Sequence, residues 1–150
     1  MELTSRSFTD GEPIPQRHAC DGEDVSPPLA WVDVPAGTGS LALLVDDPDA
    51  PGGSFTHWTA WGLVPAAGGL GAGEAVPREG RNDFGTIGYR GPCPPPGKPH
   101  RYVFRLHALA GDLDLEPGAR RRDVERALAG RTLATAELIG TYERRGRHRS

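Results

Sequence analysis

The chain has 150 residues, a formal net charge of −3 and a pI near 5.9. This length predicts one domain, residues 1–150, that can bury its own core, and the charge argues against a general attraction to nucleic acid or to an anionic membrane. With 21 glycines and 15 prolines beside an ordinary apolar content, the composition is typical of a loop-rich β protein and not of a disordered chain.

The chain shows no targeting or membrane signal. Residues 1–6 lack the apolar region of a signal peptide, and no stretch approaches the roughly 20 apolar residues of a membrane span. We therefore expect a cytoplasmic protein without membrane insertion, and a flexible basic tail at residues 145–150.

Cys20 and Cys93 fit no metal-binding spacing. They could pair, but a reducing compartment favours free thiols.

The first half of the chain predicts short strands separated by turns. Turn-forming residues dominate positions 1–28, and a strand is predicted at 29–32. The next strand begins at residue 40 and is apolar on both faces over residues 41–45, which indicates that both faces are covered. If this strand persists to Asp47, its alternation places Asp47 on the same face as Val45, at the edge of the core, where a carboxylate must be hydrogen-bonded or paired.

A third strand is predicted over residues 56–64, followed by a long surface loop at 66–82. Strict alternation divides the strand into two faces: His57, Thr59, Trp61 and Leu63 on one, and Trp58, Ala60, Gly62 and Val64 on the other. A turn at 82–85 and a short strand at 86–89 are predicted next.

The last third of the chain contains a half-exposed antiparallel strand at 101–109 and one helix at 119–129, for which Gly130 is a suitable C′ residue. Residues 133–142 are predicted as a closing strand, although their alanine and leucine content also permits a helix. Because strands outnumber helices and no βαβ rhythm occurs, we predict a mainly β fold. Its architecture is an antiparallel β-sandwich of two sheets with one or two peripheral helices.

Two proline-rich loops each deliver a histidine to the start of a predicted strand. The first contains Asp47-Pro48-Asp49-Ala50-Pro51 and leads to His57-Trp58; the second contains Gly91-Pro92-Cys93-Pro94-Pro95 and leads to His100-Arg101-Tyr102. Proline fixes the backbone φ angle, so little entropy is lost when such a loop contacts a ligand. We expect the two loops to form the walls of one pocket.

Each polar side chain of these loops also has a purely structural interpretation. The acids can belong to an ordinary solvated turn, the two histidines can be satisfied structural groups, and Tyr102 can be a core residue whose hydroxyl reaches a polar neighbour. The combination favours a binding site. Histidine N–H groups, a tyrosine O–H and backbone N–H groups at Gly91 or Cys93 form a donor set suited to phosphate, sulfate or carboxylate. We expect Asp47 to orient one imidazole and to favour its protonated form.

The two blocks resemble the signature blocks of the phosphatidylethanolamine-binding protein family, which includes the Raf kinase inhibitor proteins. Three further stretches are similar to its bacterial branch: Cys20-Asp21-Gly22-Glu23-Asp24-Val25-Ser26-Pro27-Pro28-Leu29, Asn82-Asp83-Phe84-Gly85 and Ala136-Glu137-Leu138-Ile139-Gly140-Thr141-Tyr142. The resemblance covers nearly the whole chain. It implies a β-sandwich of two antiparallel sheets with a small anion pocket at one end, without metal or cofactor.

By position, the resemblance assigns a set of ligand-binding residues: Asp47, His57, Gly91, Cys93, His100 and Tyr102, with Asp49 and Pro51 shaping the rim. Cys93 replaces a glycine of the eukaryotic blocks, which would narrow the pocket or place a thiol in it. The chain shows no counterpart of the longer eukaryotic segments linked to kinase partners, so kinase inhibition is not carried over. A homodimer is compatible with the resemblance.

Three functions are compatible with these residues. The first is non-catalytic binding of a small anionic ligand, such as phosphate, phosphoethanolamine, a carboxylate or a phospholipid headgroup. The second is an enzyme with His57 or His100 as general acid/base, Asp47 as the orienting group and Cys93 as a potential nucleophile. The third is a metal site of both histidines and one aspartate, which we rank last.

Overall fold

The computed structural model describes residues 1–144, so the predicted basic tail at residues 145–150 lies outside the described part. Eight strands of this described part form two antiparallel sheets, as the sequence predicts. The small sheet has the order β1-β2-β5, with β1 Glu2–Thr4, β2 Leu29–Val32 and β5 Gly69–Leu70. The large sheet has the order β6-β4-β3-β7-β8, with β3 Ser40–Asp47, β4 Phe55–Leu63, β6 Arg78–Glu79, β7 His100–Leu109 and β8 Thr132–Tyr142.

The one α-helix within residues 1–144, α1, spans Arg121–Leu128, and two short 3₁₀ helices span Gln16–His18 and Pro65–Ala67. Gly130 follows α1 with φ of +75°, as expected for the left-handed residue that ends a helix. Val124 and Leu128 of α1 are buried against the outer face of the large sheet. The peripheral helix of the prediction is therefore confirmed, and the closing segment is a strand.

Both faces of β3 are buried, which confirms the prediction from its continuous apolar sequence. Leu41, Leu43 and Val45 belong to the core between the two sheets, whereas Ala42 and Leu44 belong to a second core beneath α1. Strand β7 also alternates as predicted: its inward side chains, Tyr102, Phe104, Leu106 and Ala108, are almost completely buried.

Strand β4 departs from the predicted alternation because it contains two β-bulges. Leu41 pairs with Leu63 and Leu43 with Ala60, so β4 carries one extra residue there, and Gly62 adopts a φ of +74°. Leu63 consequently packs in the inner core rather than with Trp61. At the other end, Val45 pairs with Trp58 and Asp46 with Thr56, which leaves His57 as the extra residue.

The predicted strand at 86–89 is wrong. Ile87 forms only an isolated bridge with Arg81, and Asn82 organises the segment instead. The Asn82 side chain donates to Thr86 Oγ1 at 2.8 Å and to the Gly88 carbonyl at 3.0 Å, and it accepts from the Phe84 and Thr86 amides. These bonds replace a strand ladder. The predicted surface loop at 66–82 contains the short strands β5 and β6.

The expectation of free thiols is also wrong, because Cys20 and Cys93 form a disulfide. Their Cα atoms are 5.4 Å apart although the residues are separated by 73 positions. This distance lies within the range that a disulfide spans. The expectation rested on the redox state of a compartment, whereas the fold itself places the two side chains together.

None of the helices within residues 1–144 has the length and apolar character needed to cross a lipid bilayer.

Candidate functional site

The order of three neighbouring strands gathers the predicted site residues at one end of the large sheet. β3 lies between β4 and β7 and is antiparallel to both, so its C-terminal end lies beside the N-terminal ends of its neighbours. Asp47 ends β3, His57 lies near the start of β4, and His100 begins β7. The two proline-rich loops therefore meet there, as the sequence predicts.

A buried carboxylate holds the first histidine of the site. His100 Nδ1 lies 2.6 Å from Asp47 Oδ2, and both side chains are almost fully buried. The other oxygen, Asp47 Oδ1, accepts the Asp49 backbone N–H at 2.7 Å, so both oxygens of the carboxylate are used. This contact places the proton of His100 on Nδ1 and leaves Nε2 for a ligand.

A backbone carbonyl holds the second histidine in the same way. His57 Nδ1 donates to the Arg90 carbonyl at 2.8 Å, and Arg90 returns a backbone N–H to the His57 carbonyl at 3.2 Å. Burial is the main cause that lowers the pKa of His57 below its usual value of 6.5, against the weaker opposing effects of that hydrogen bond and of Asp47. The neutral ring therefore presents Nε2 as an acceptor near neutral pH and as a donor once it is protonated.

The hydroxyl of Tyr102 is buried without a hydrogen bond of ordinary geometry among the described residues. Its ring packs edge-on against His57, with 5.2 Å between the ring centres. Burial first, and then the negative charge of Asp47, raise the pKa of Tyr102, so the hydroxyl keeps its proton. A buried hydroxyl without a partner is costly, and a ligand oxygen in the neighbouring cavity would satisfy it.

These side chains line a cavity of about 160 Å³ at the end of the sheet. The predicted residues Asp47, Pro51, His57, Cys93, His100 and Tyr102 all contribute to it. Five further residues complete the wall and were not predicted: Ala50, Phe55, Phe84, Pro94 and Pro95. They make the rim largely apolar around a polar floor.

Phe84 reaches the cavity because the Asn82 loop folds back over the start of β4. Its ring centre lies 4.8 Å from that of Phe55 and 5.4 Å from that of His57, and the Arg90 guanidinium carbon lies over the Phe84 ring, 5.0 Å from its centre. The loop is also fixed to β4, since Asp83 Oδ2 accepts the Thr56 backbone N–H at 2.7 Å. The only sequence signal for this wall was the Asn-Asp-Phe-Gly turn, which gives no position relative to the pocket.

Asp49 lies on the outer side of the loop rather than in the cavity. Its carboxylate accepts the Arg101 side chain at 2.8 and 2.9 Å and the Arg101 backbone N–H at 2.9 Å. The hydrogen bonds from the Arg101 side chain lower the pKa of Asp49 to about 2. Asp49 thus ties the first loop to the start of β7 and positions Asp47 through its own backbone N–H.

Gly91 lies behind the wall and does not line the cavity. Its N–H donates to Asp24 Oδ1 at 2.7 Å, and a Cβ at this position would lie 1.9 Å from the His18 carbonyl oxygen. The residue is therefore needed for close packing, and its N–H is already used. Cys93 does line the wall, but its sulfur is bonded to Cys20, so it carries no free thiol.

Among the described residues, no three histidine, cysteine, aspartate or glutamate side chains are grouped so that they could hold a metal ion. The two histidines use Nδ1 for protein contacts, and Asp47 uses both oxygens. Residues 1–144 therefore contain no cluster of side chains that could serve as the metal site considered from the sequence.

Comparison with known proteins places this chain in a family. The model of the phosphatidylethanolamine-binding protein family matches residues 4–143. A UPF0098 protein of Methanothermobacter thermautotrophicus is 51% identical over 153 residues, covering 96% of this chain and 99% of its own. A Mycobacterium tuberculosis protein that carries a provisional lipoprotein name, LppC, is 43% identical, with 95% of this chain and 72% of its own covered.

Two crystal structures have the same fold. A Chlamydia trachomatis homologue of phosphatidylethanolamine-binding proteins, CT736, superposes with a TM-score of 0.91 at 42% identity, covering 95% of this chain and 97% of its own. Escherichia coli YbcL, described as a member of the mammalian family, superposes with a TM-score of 0.89 at 35% identity, covering 96% and 98%. The resemblance inferred from the sequence blocks is confirmed: the chain belongs to the phosphatidylethanolamine-binding protein family.

Proposed function

We propose that the protein binds a small anionic ligand, without turning it over, in the cavity between Asp47, His57, His100 and Tyr102. One observation carries the proposal: two imidazoles are held by Nδ1, their Nε2 atoms are left for a ligand, and a buried tyrosine hydroxyl without a partner lies beside them. Three groups that can each contact an oxygen surround a space suited to one phosphate, sulfate or carboxylate group.

The protonation states favour an anion that still carries a proton. Near neutral pH the neutral His57 presents an acceptor, so a singly protonated phosphate or a phosphate monoester can donate its O–H to Nε2. The Tyr102 hydroxyl donates to another ligand oxygen. The apolar rim of Phe55, Phe84 and the prolines suits a ligand whose anionic group is attached to a less polar portion.

NMR titration with phosphate, phosphoethanolamine and acetate tests this function. We expect saturable shifts of the His57 and His100 ring signals, with His18 as an internal control. His18 is also buried, but its ring bonds to Val25 and Ser7 away from the cavity. Flat titrations of both site histidines with all three anions would contradict the proposal. Unequal affinities would indicate whether the ligand is a headgroup-like ester or a free anion.

An enzyme remains the second candidate, because a carboxylate-bound imidazole is the usual arrangement of a general base. The disulfide removes Cys93 as the nucleophile of that mechanism. A metabolite screen should identify a substrate whose turnover is lost in both His57→Ala and His100→Ala. Turnover that survives both substitutions would contradict this candidate.

The cytoplasmic location and the homodimer remain predictions. A disulfide is more typical of oxidising compartments, and one relative carries a lipoprotein name, so cell fractionation is the appropriate test of location. Light scattering during size-exclusion chromatography will distinguish monomer from dimer.

A further inference from the structure

We propose that the Cys20–Cys93 disulfide is a redox-reactive site that controls the cavity, and that its reduction by a dithiol loosens the proline-rich wall and weakens anion binding. The binding part of this inference rests on the proposed function. Cys93 lines the cavity and Cys20 follows the 3₁₀ helix Gln16–His18, so the bond joins a wall of the site to a segment outside it. Both cysteines are only partly buried, which leaves the bond accessible to a small reductant.

The proline-rich wall, residues 93–99, has few other attachments to the rest of the protein. Within the described part of the chain, residues 93–99 make no backbone-to-backbone hydrogen bond before β7 begins at His100. Four of these seven residues are prolines without an N–H: Pro94, Pro95, Pro96 and Pro99. The nearest backbone tether lies one residue earlier, where Cys20 donates to the Pro92 carbonyl at 3.0 Å. The disulfide is consequently the one covalent cross-link that holds the part of the loop lining the cavity, in a segment that has no backbone-to-backbone hydrogen bond of its own among the described residues.

A cation lies beside the Cys93 sulfur. Arg144 Nη1 is 3.6 Å from Cys93 Sγ, within the range of a weak hydrogen bond to sulfur. Once the bond opens, this guanidinium stabilises the Cys93 thiolate, and a stabilised thiolate is the better leaving group. Arg144 thereby directs the attack of a reductant towards Cys20.

The reaction is a balanced two-electron exchange. A thiolate of the dithiol attacks Cys20 Sγ, the Cys20–Cys93 bond breaks, and Cys93 leaves as a thiolate beside Arg144. The second thiol of the reductant then attacks the mixed disulfide and releases Cys20, so the dithiol becomes a cyclic disulfide and the protein gains two thiols. The freed wall loses conformational entropy each time it closes around an anion, and this loss weakens binding.

The test compares oxidised protein with protein reduced by dithiothreitol, using inorganic phosphate as the probe. We expect reduction to weaken phosphate binding about tenfold and to speed amide exchange at the non-proline residues of segment 93–102. Reoxidation should restore both, and Cys20→Ser/Cys93→Ser should match the reduced protein under oxidising conditions. If this variant does not fold, reversible reduction of the native chain still decides the outcome.

The possible outcomes separate this inference from the proposed function. Phosphate binding and segment exchange that are equal in both redox states would overturn the inference and leave the anion site intact. Absent binding in the oxidised protein would overturn the proposed function together with the binding part of the inference. In that case faster exchange on reduction would support the loosening, and unchanged exchange would overturn it.

Arg144 is tested by the rate of reduction. Arg144→Gln should slow the reaction with dithiothreitol severalfold, whereas Arg144→Lys, which keeps the positive charge, should recover part of the rate. Equal rates for the three proteins would overturn the role of Arg144. Arg17→Gln is the control, because Arg17 is an exposed cation paired with Glu23 rather than with the disulfide.

Discussion

Single residues at the ends of strands determine the chemistry of this site. Alternation along β3 was sufficient to predict that Asp47 is buried and paired, because the side-chain period of a strand is two. Its partner was not predictable from local sequence, since His100 lies 53 positions further along the chain. The Asp47 carboxylate has two contacts in the structure, the His100 ring and the Asp49 backbone N–H.

Asp47→Asn tests the role of the buried carboxylate. The amide is nearly isosteric but cannot fix His100 with a charged acceptor, so we expect phosphate affinity to fall by about tenfold or more and stability by about 1–3 kcal/mol. NMR titration and urea unfolding measure the two effects. Asp114→Asn is the matched control, because Asp114 is exposed, and it should change neither. Undiminished phosphate binding by Asp47→Asn would contradict the assignment.

His57 should titrate below pH 6.5, because its pKa is lowered chiefly by burial. Anion binding favours the protonated ring, so phosphate should raise the pKa of His57 and, by linkage, binding should strengthen as pH falls towards that pKa. Ring chemical shifts measured against pH with and without phosphate check this. The pKa of His18, which is also lowered by burial, should not respond to phosphate.

The same shift predicts how stability depends on pH. Between the lowered pKa of folded His57 and the unfolded value of 6.5, the unfolded chain binds more protons. The contribution of His57 to stability is therefore complete above pH 6.5 and is lost as pH falls below it. Unfolding in urea at a series of pH values measures this, and stability that rose on acidification through this window would contradict it.

At the scale of elements, the two β-bulges of β4 determine which of its side chains reach the site and the inner core. The bulge at His57 re-aims the ring, so that it packs against Tyr102 on the side of the sheet where Trp58 is also buried. A strict alternation would have placed His57 and Trp58 on opposite faces. Bulges are common beside functional sites for this reason.

Gly62→Ala tests the second bulge. At a φ of +74° an alanine is strained, and its Cβ would touch Pro77 at 3.4 Å, so we expect a loss of about 1–2 kcal/mol in the free energy of unfolding. Gly111→Ala is the control: no atom lies within 4 Å of its Cβ and its φ is not in the left-handed region. That variant should be neutral or slightly stabilised. Equal unfolding free energies for the two variants would contradict the left-handed backbone conformation assigned to Gly62 in this bulge.

At the scale of the whole molecule, two cores stabilise the large sheet on both faces and the disulfide restrains the chain as a whole. The inner core lies between the sheets and the outer core lies beneath α1, and neither contains a cysteine. The disulfide closes a loop of 73 residues. We therefore expect the cores to preserve the fold in both redox states, and the disulfide to stabilise the protein by restricting the conformations of the unfolded chain.

Reduction should lower the free energy of unfolding by about 4 kcal/mol, the value expected from the entropy of a loop of this length. The reduced protein should nevertheless retain its β-sheet circular dichroism, because its cores are intact. Urea unfolding with and without dithiothreitol measures the difference. If reduction alone unfolded the protein completely, without urea, the expectation that the two cores maintain the fold without the disulfide would be wrong.

Local pattern alone determined the mainly β class, most of the strands, the burial of both faces of β3 and the two loops that meet at the site. These features follow from side-chain periodicity and from the restrictions that proline imposes on the backbone, which act over a few residues. The tertiary structure alone decided the bulge that turns His57, the packing role of Gly91, the Phe84 wall and the Cys20–Cys93 bond. Each of these depends on which distant segments come into contact, and no local period encodes such contacts.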